Sequence, residues 1–324
     1  MMRAVITATG SYLPRRVVSN EALIAQYHLD SNDEWIRTRS GIVQRYIAAE
    51  GEATSHLATE AARAAMARAG VFADGIDGVV VGTSTPDTTM PSVATKVQAA
   101  LGIKHGAALD VMAACTGFIA ALATAHGLIQ TGMCKRILVI GAETMTRILD
   151  FTDRGTCILF GDGAGAVILE AMPEEKANGR GILATTLEAD GSFGPLLGTN
   201  GGTSSTQTAG AMFMQGQEVF RHGVEKMAST TREAVGKAGL ELSEVDWLVA
   251  HQANGRMIAS IARQLKLDES RCIVTVDKHA NTSAASIPLA LDVAVKDGRI
   301  KPGNIVAMPA LGAGLTWGCC VVKW

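Results

Sequence analysis

No stretch of this chain approaches the roughly 20 consecutive apolar residues that a membrane-spanning helix needs. The N-terminal Met-Met-Arg-Ala-Val-Ile-Thr-Ala-Thr-Gly lacks the length and cleavage pattern of a signal peptide. A soluble, cytoplasmic protein is expected. The six cysteines (115, 134, 157, 272, 319 and 320) form no Cys-x-x-Cys pair and no zinc spacing. They read as reduced thiols, and no metal site is expected. An excess of charge is missing too. With 29 Lys+Arg against 31 Asp+Glu, the formal net charge of −2 gives nucleic acid or an acidic membrane no bulk attraction.

What is present is apolar bulk. Hydrophobic residues make up 48% and charged residues 19% of 324 residues, more than one core usually holds. Two domains or one fused double core is therefore expected. The 35 glycines punctuate alternating strand and helix patterns, which indicates an α/β architecture.

The chain also repeats itself. Asp77-Gly-Val-Val-Val-Gly and Asp246-Trp-Leu-Val-Ala-His both read as strands entering a loop. Ala113-Ala-Cys115-Thr-Gly-Phe and His279-Ala-Asn281-Thr-Ser-Ala both end a strand and open an Ala-rich helix. Lys135-Arg-Ile-Leu-Val-Ile-Gly matches Gly303-Asn-Ile-Val-Ala-Met-Pro, and the three pairings share an offset of about 168 residues. Gly165-Ala-Val-Ile-Leu and Gly318-Cys-Cys-Val-Val pair at a shorter offset, as a lost loop would produce. The division expected is 1–172, carrying Cys115, and 173–324, carrying His251 and Asn281.

Cys115 stands where a strand, read as buried, runs into a helix. Phe118, Leu122, Ala125 and Ile129 repeat at helical spacing, while Ile119, Ala121 and Leu128 cover most of the remaining circumference. A helix apolar nearly all round is a buried one. Its N-terminal N–H groups would favour a thiolate and lower the thiol pKa from about 8.5. Such a thiolate could carry an acyl group, although a cysteine in apolar surroundings is more often structural. His251, in Val-Ala-His251-Gln-Ala-Asn254-Gly-Arg256, falls on a loop after a strand, where α/β proteins build sites. Asn281 occupies the turn equivalent to that of Cys115, where a helix cap is the plain alternative. Phe160-Gly-Asp-Gly-Ala-Gly-Ala-Val-Ile-Leu runs into a strand and reads as a glycine turn, not a dinucleotide loop. Leu311-Gly-Ala-Gly314-Leu-Thr-Trp317-Gly offers close backbone approach and an N–H that could serve an oxyanion.

These motifs in this order strongly resemble β-ketoacyl-acyl carrier protein synthase III, over essentially the whole chain. Asn32-Asp-Glu-Trp35-Ile-Arg-Thr-Arg39-Ser-Gly-Ile and Thr152-Asp-Arg154-Gly-Thr add to the likeness. The resemblance implies a thiolase-like fold, an internally duplicated five-layer αβαβα structure, and a homodimer. It implies no permanently bound cofactor, with acyl-coenzyme A and malonyl-acyl carrier protein as substrates. Cys115, His251 and Asn281 would be catalytic, and the N–H groups of Cys115 and Gly314 would form an oxyanion hole. Trp35, Arg39, Arg154 and Asn254 would bind coenzyme A. Gln252, Ala253, Asn254, Gly255 and Arg256 would receive the carrier protein, with Arg221 and Arg263 extending a basic patch. Met90 and Leu315 stand where the family often has aromatics, so the acyl pocket could admit more than acetyl. The segment from Gly198 to Gly210, rich in Gly, Thr and Ser, reads as a lid or a solvated loop. Rival readings are a condensing enzyme of polyketide or quinolone assembly, a Cys-His-Asn hydrolase, and a non-catalytic carrier-protein-binding scaffold.

Overall fold

The Val- and Ile-rich runs become the strands of two sheets, and the Ala-rich stretches become the helices that cover them. A computed structural model describes residues 2–324. The chain opens with β1 (Met2–Tyr12) and a ribbon of β2 (Arg16–Ser19) and β3 (Gln44–Ile47) enclosing α1 (Asn20–Tyr27) and α2 (Asp33–Ser40). It continues through α3 (Thr54–Ala69), β4 (Gly78–Gly82), α4 (Val93–Ala100), β5 (Ala107–Val111), α5 (Gly117–Gln130), β6 (Arg136–Thr144) and β7 (Asp162–Pro173). After α6 (Glu174–Ala177) come β8 (Gly181–Ala189), a ribbon of β9 (Leu197–Thr199) and β10 (Met212–Met214), and α7 (Gly216–Lys237). The remainder is β11 (Trp247–Leu248), α8 (Gly255–Leu265), α9 (Val276–His279), α10 (Ser286–Lys296), β12 (Ile305–Gly312) and β13 (Thr316–Lys323).

The larger sheet has the order β1-β7-β6-β4-β5, and the other, read from its opposite edge, β8-β13-β12-β11. The isolated bridge between Leu248 and Cys272 stands where β5 stands in the first sheet. Strand directions also repeat. β4 and β6 are parallel, as are β11 and β12, whereas β6–β7 and β12–β13 are antiparallel. The duplication thus includes β1 and β8, a pair with no obvious sequence likeness.

Side-chain alternation along the strands sorts the core into layers. Val80, Val139 and Val167 point inward to Phe118, Ile119 and Leu122 of α5 and Ile287 and Leu291 of α10. Met308 and Val322 of the second sheet join the same cluster from the other side. Val79, Val81, Leu138 and Ile140 point outward to α3 and α4, through Leu57, Ala61, Ala65 and Val97. Ala307, Cys319 and Val321 meet α7 and α8 through Met227, Val235, Ile258 and Ile261. The result is helix, sheet, helix, sheet, helix. As its composition requires, α5 is buried between the sheets. β5 differs from expectation: it is a half-exposed edge strand, not a buried one.

Two glycines bring the central helices against the first sheet. A Cβ on Gly141 would lie 2.2 Å from the Ala284 carbonyl oxygen, and one on Gly82 2.5 Å from the Gly117 carbonyl. Neither neighbour is a side chain that can turn away. Gly141→Ala is therefore expected to destabilise the fold by about 3 kcal/mol, the upper end of ordinary overpacking. Thermal denaturation read beside turnover checks this: both should fall, because Ala284 belongs to the segment that carries Asn281.

Candidate active site

Three turns converge at the carboxyl ends of the central strands. Cys115 lies in a short 3₁₀ turn, Ala114–Thr116, that runs into α5. Its counterpart, Ser283–Ala285, runs into α10 just after Asn281. Both open on a left-handed non-glycine residue, Ala114 at φ 48° and Ser283 at φ 50°, and Ala280 beside Asn281 has φ 58°. Each such residue costs on the order of 1–3 kcal/mol, so the surrounding packing enforces it. The third turn, between β12 and β13, is clamped to the first. Thr316 Oγ1 donates to the Ala113 carbonyl at 3.1 Å, and Thr116 Oγ1 donates to the Thr316 carbonyl at 3.1 Å. This clamp sets Gly314, at φ 141°, beside the cysteine turn.

Cys115, His251 and Asn281 line one cavity of about 350 Å³. His251 is buried, with Nδ1 2.7 Å from Ser286 Oγ. The Gln252 N–H donates to that same oxygen at 3.3 Å, and a serine proton given to Nδ1 puts the His251 proton on Nε2. Burial holds the His251 pKa down at about 4, so the ring is neutral at pH 7. Asn281 Oδ1 accepts from the Ser283 N–H at 2.8 Å, so its amide Nδ2 is the group left to donate into the cavity. Two uncharged side chains with donor groups therefore share the cavity with the sulfur.

The thiol departs from expectation. Burial pushes the Cys115 pKa up to about 12, a hydrogen bond with Ser283 opposes this, and the charge of Glu143 adds to it. Desolvation is the largest influence on the sulfur and favours its protonated form, opposite to the direction expected from the helix end.

Outside the cavity lining, Trp35 of α2 carries Arg39 on its ring at 4.5 Å and Arg154 at 5.2 Å. Arg154 is held by the carbonyl of Asp30 and by its carboxylate at 3.3 Å, not by its neighbours Asp150 and Asp153. Asn254 lines the cavity and caps α8, its Oδ1 accepting from the Met257 N–H at 2.7 Å. Ala253 lines the cavity beside it, and Gly255 begins α8.

Gln252 is a correction. It is fully buried, its Nε2 donates to the Ala250 and Ile273 carbonyls, and its Oε1 accepts from the Thr275 and Val276 N–H groups. A side chain so consumed cannot meet a carrier protein. Arg221, Arg256 and Arg263 are exposed on α7 and α8. Arg221 pairs with Glu218 at 2.7 Å and Arg263 with Glu269 at 3.8 Å, while Arg256 stands over Phe220.

Leu315 is a second correction. It is fully buried in the cluster under α7 and does not line the cavity. Met90 is exposed and outside the cavity of its own chain, so any part in an acyl pocket depends on a second copy. The wall is built instead from Met112, Met145, Met212, Met214, Met227 and Met257, with Phe160 and Leu197. Unbranched methionines fill and adapt to irregular space. They come from five separate parts of the chain, so no local pattern marks them. The segment from Gly198 to Gly210 is likewise no free loop at its base, since β9 and β10 pair there and form part of the wall.

Two family models match the chain: 3-oxoacyl-[acyl-carrier-protein] synthase III over residues 109–191, and its C-terminal region over residues 235–324. A β-ketoacyl-[acyl-carrier-protein] synthase III of Rhizorhabdus wittichii is 55% identical over 324 residues, all of both chains. One of Paracoccus denitrificans is 54% identical over 325 residues, again covering both chains fully. The crystal structure of 3-oxoacyl-[acyl-carrier-protein] synthase III from Aquifex aeolicus, 41% identical, superposes with a TM-score of 0.93 over 99% of this chain and 100% of its own. With its doubled sheet, central helix pair and full-length likeness to these proteins, the chain belongs to the β-ketoacyl-[acyl-carrier-protein] synthase III family.

Proposed function

We propose that the chain initiates fatty acid synthesis by a decarboxylative Claisen condensation. Cys115 takes an acyl group from acyl-coenzyme A, and malonyl-acyl carrier protein loses CO₂ and attacks it, giving 3-ketoacyl-acyl carrier protein. The observation that carries this reading is a thiol that shares one cavity with two uncharged hydrogen-bonding side chains, His251 and Asn281. Loss of CO₂ leaves an enolate, and the Nε2–H of His251 with the Nδ2–H of Asn281 stabilise that oxygen without taking a proton from the site. The N–H groups of Cys115 and Gly314 hold the oxyanion of each tetrahedral intermediate. Neither role needs a metal.

Around this centre, Trp35 and Arg154 take the adenine of coenzyme A between them, Arg39 meets its phosphates, and Asn254 meets the pantetheine arm. An aromatic base between two flat groups needs about 7 Å, two contact distances, and Arg154 stands at 5.2 Å. Adenine entry thus requires Arg154 to leave Asp30. The carrier protein, an acidic partner, docks on Arg221, Arg256 and Arg263 beside Ala253, Asn254 and Gly255. The active form is a homodimer, and residues 1–172 and 173–324 are the two units of the duplication. The methionine wall admits starters longer than acetyl.

Intact-protein mass spectrometry with a panel of acyl-coenzyme A thioesters should show a stable adduct that Cys115→Ser abolishes, extending beyond acetyl. No adduct at any chain length would defeat the reading. His251→Ala and Asn281→Ala should each lower malonyl decarboxylation by about 10²–10³-fold, the usual loss of one such donor. Because the His251 pKa lies at about 4, its ring stays neutral as pH falls from 8 to 5, and its donor role should survive across that window. A pH profile of malonyl decarboxylation by the acylated enzyme checks this. Arg154→Ala should raise KM for acyl-coenzyme A several-fold while kcat stays near wild type, as read by steady-state kinetics.

A further inference from the structure

The glutamine after His251 does more than satisfy buried backbone. Gln252 has no exposed surface and does not line the cavity, although His251 and Ala253 on either side of it do. Its amide stands where two chain segments part. The Ile273 N–H donates to the Leu248 carbonyl at 3.0 Å, and beyond that rung no backbone hydrogen bond joins the two segments among the described residues. Gln252 closes the gap with one side chain. Its Nε2 donates to the Ala250 carbonyl at 2.8 Å and to the Ile273 carbonyl at 3.0 Å. The Ala250 carbonyl belongs to the planar peptide that leads into His251. The opposite edge of that plane is held by the His251 N–H, which donates to the Pro309 carbonyl at 2.8 Å. The mount of the imidazole is thus fixed from both sides.

The other end of the same amide faces α9. Gln252 Oε1 accepts from the Thr275 N–H at 2.8 Å and from the Val276 N–H at 3.1 Å. These are the leading donors of a helix whose own N-cap side chain, Thr275, supplies no hydrogen bond. α9 is one turn long, and the Ala280 N–H closes it on the Val276 carbonyl at 3.0 Å. Asn281 follows directly. One planar amide therefore reaches the peptide before His251 and the turn before Asn281, with both its donors and both its acceptor sites taken. Among side chains of this length only glutamine offers two donors at one end and an uncharged acceptor at the other. Cys115 is anchored elsewhere, through Thr116 and Thr316.

We propose that Gln252 is a positioning residue for the condensation: its amide fixes the spacing of His251 and Asn281 so that both donors meet one enolate oxygen. This rests on the enolate-stabilising role proposed above for those two side chains. Donors carried by separate loops converge on one atom only while the loops keep their distance. A displacement of about 1 Å can cost on the order of 10²-fold in rate. Gln252 touches neither the substrate nor the reacting atoms and acts through the backbone that carries the two donors. Acylation of Cys115 calls on a different pair, the N–H groups of Cys115 and Gly314. The amide therefore serves one half-reaction and not the other.

The test compares Gln252→Glu and Gln252→Met in the full-length enzyme, with folding checked by thermal denaturation. The first keeps the length and both accepted bonds but has at most one proton for the two carbonyls. The second keeps the length and none of the bonds. Coenzyme A release on mixing with acetyl-coenzyme A reads the first half-reaction, and CO₂ release from malonyl-acyl carrier protein by the acylated enzyme reads the second. Acylation should stay near wild type. Decarboxylation should fall about 10-fold in Gln252→Glu and about 100-fold in Gln252→Met. Added to His251→Ala with Asn281→Ala, either change should lower the residual decarboxylation little further, because no donor is left to misplace. Where Gln252→Met does not fold, Gln252→Glu decides alone. Unchanged decarboxylation in a folded variant, equal falls in both half-reactions, or full additivity with the donor deletions overturns the proposal. If His251→Ala and Asn281→Ala by themselves leave decarboxylation intact, the enolate reading falls instead.

Discussion

Contact between bare backbone segments governs this molecule. The turns that open α5 and α10 reach the first sheet only where Gly82 and Gly141 leave out a side chain, and Gly117 meets Ala284 across the gap, where an added Cβ would stand 3.1 Å from the alanine methyl. Backbone cannot adopt another rotamer, so these contacts fix both turns to within a few tenths of an ångström. α5 belongs to one copy of the repeat and α10 to the other. Cys115 and Asn281 are thus registered by the packing of the two copies, not by anything local to either. The hydroxyl clamps at Thr116 and Thr316 then bring Gly314 to the same place.

Burial acts on every ionisable group at this centre in the same sense. It raises the thiol of Cys115, lowers the imidazole of His251 and raises the carboxyl of Glu143, in each case toward the uncharged form. The resting site therefore works with fixed dipoles: two N–H donors on side chains whose other polar atoms are tied back by Ser286 and Ser283. Dipoles held before charge develops need no reorganisation when it does, which is why neutrality and preorganisation occur together here.

Cys115 and His251 were legible because each follows a strand end, where side chains of an α/β sheet gather, and Asn281 because its turn repeats that of Cys115, although the helix α9 and not a strand leads into it. The layer order came from the family resemblance, with which the repeat agrees. Other features were hidden for identifiable reasons. Gln252 sits in a polar run between His251 and Asn254, and sequence does not tell which polar side chain turns back to satisfy buried backbone; the Ala250 and Ile273 carbonyls take it. Leu315 follows a glycine turn that reads as cavity wall, yet its side chain falls on the α7 side of the sheet. The thiolate expectation counted a helix end, which is visible in sequence, and left out desolvation, which exists only once the core has closed. The methionine wall draws on parts of the chain as distant as Met112 and Met257, and nothing short of the fold assembles it.

Ala114, Ala280 and Ser283 hold left-handed backbone that a glycine would adopt without strain. Selection for heat resistance alone would therefore be drawn to these three places, where relieving the backbone offers stability for a single change. The same change would loosen the cysteine and asparagine turns and let the reacting atoms wander. Laboratory evolution of this protein thus meets a conflict between endurance and speed at three identifiable codons, and an honest screen would have to demand both at once.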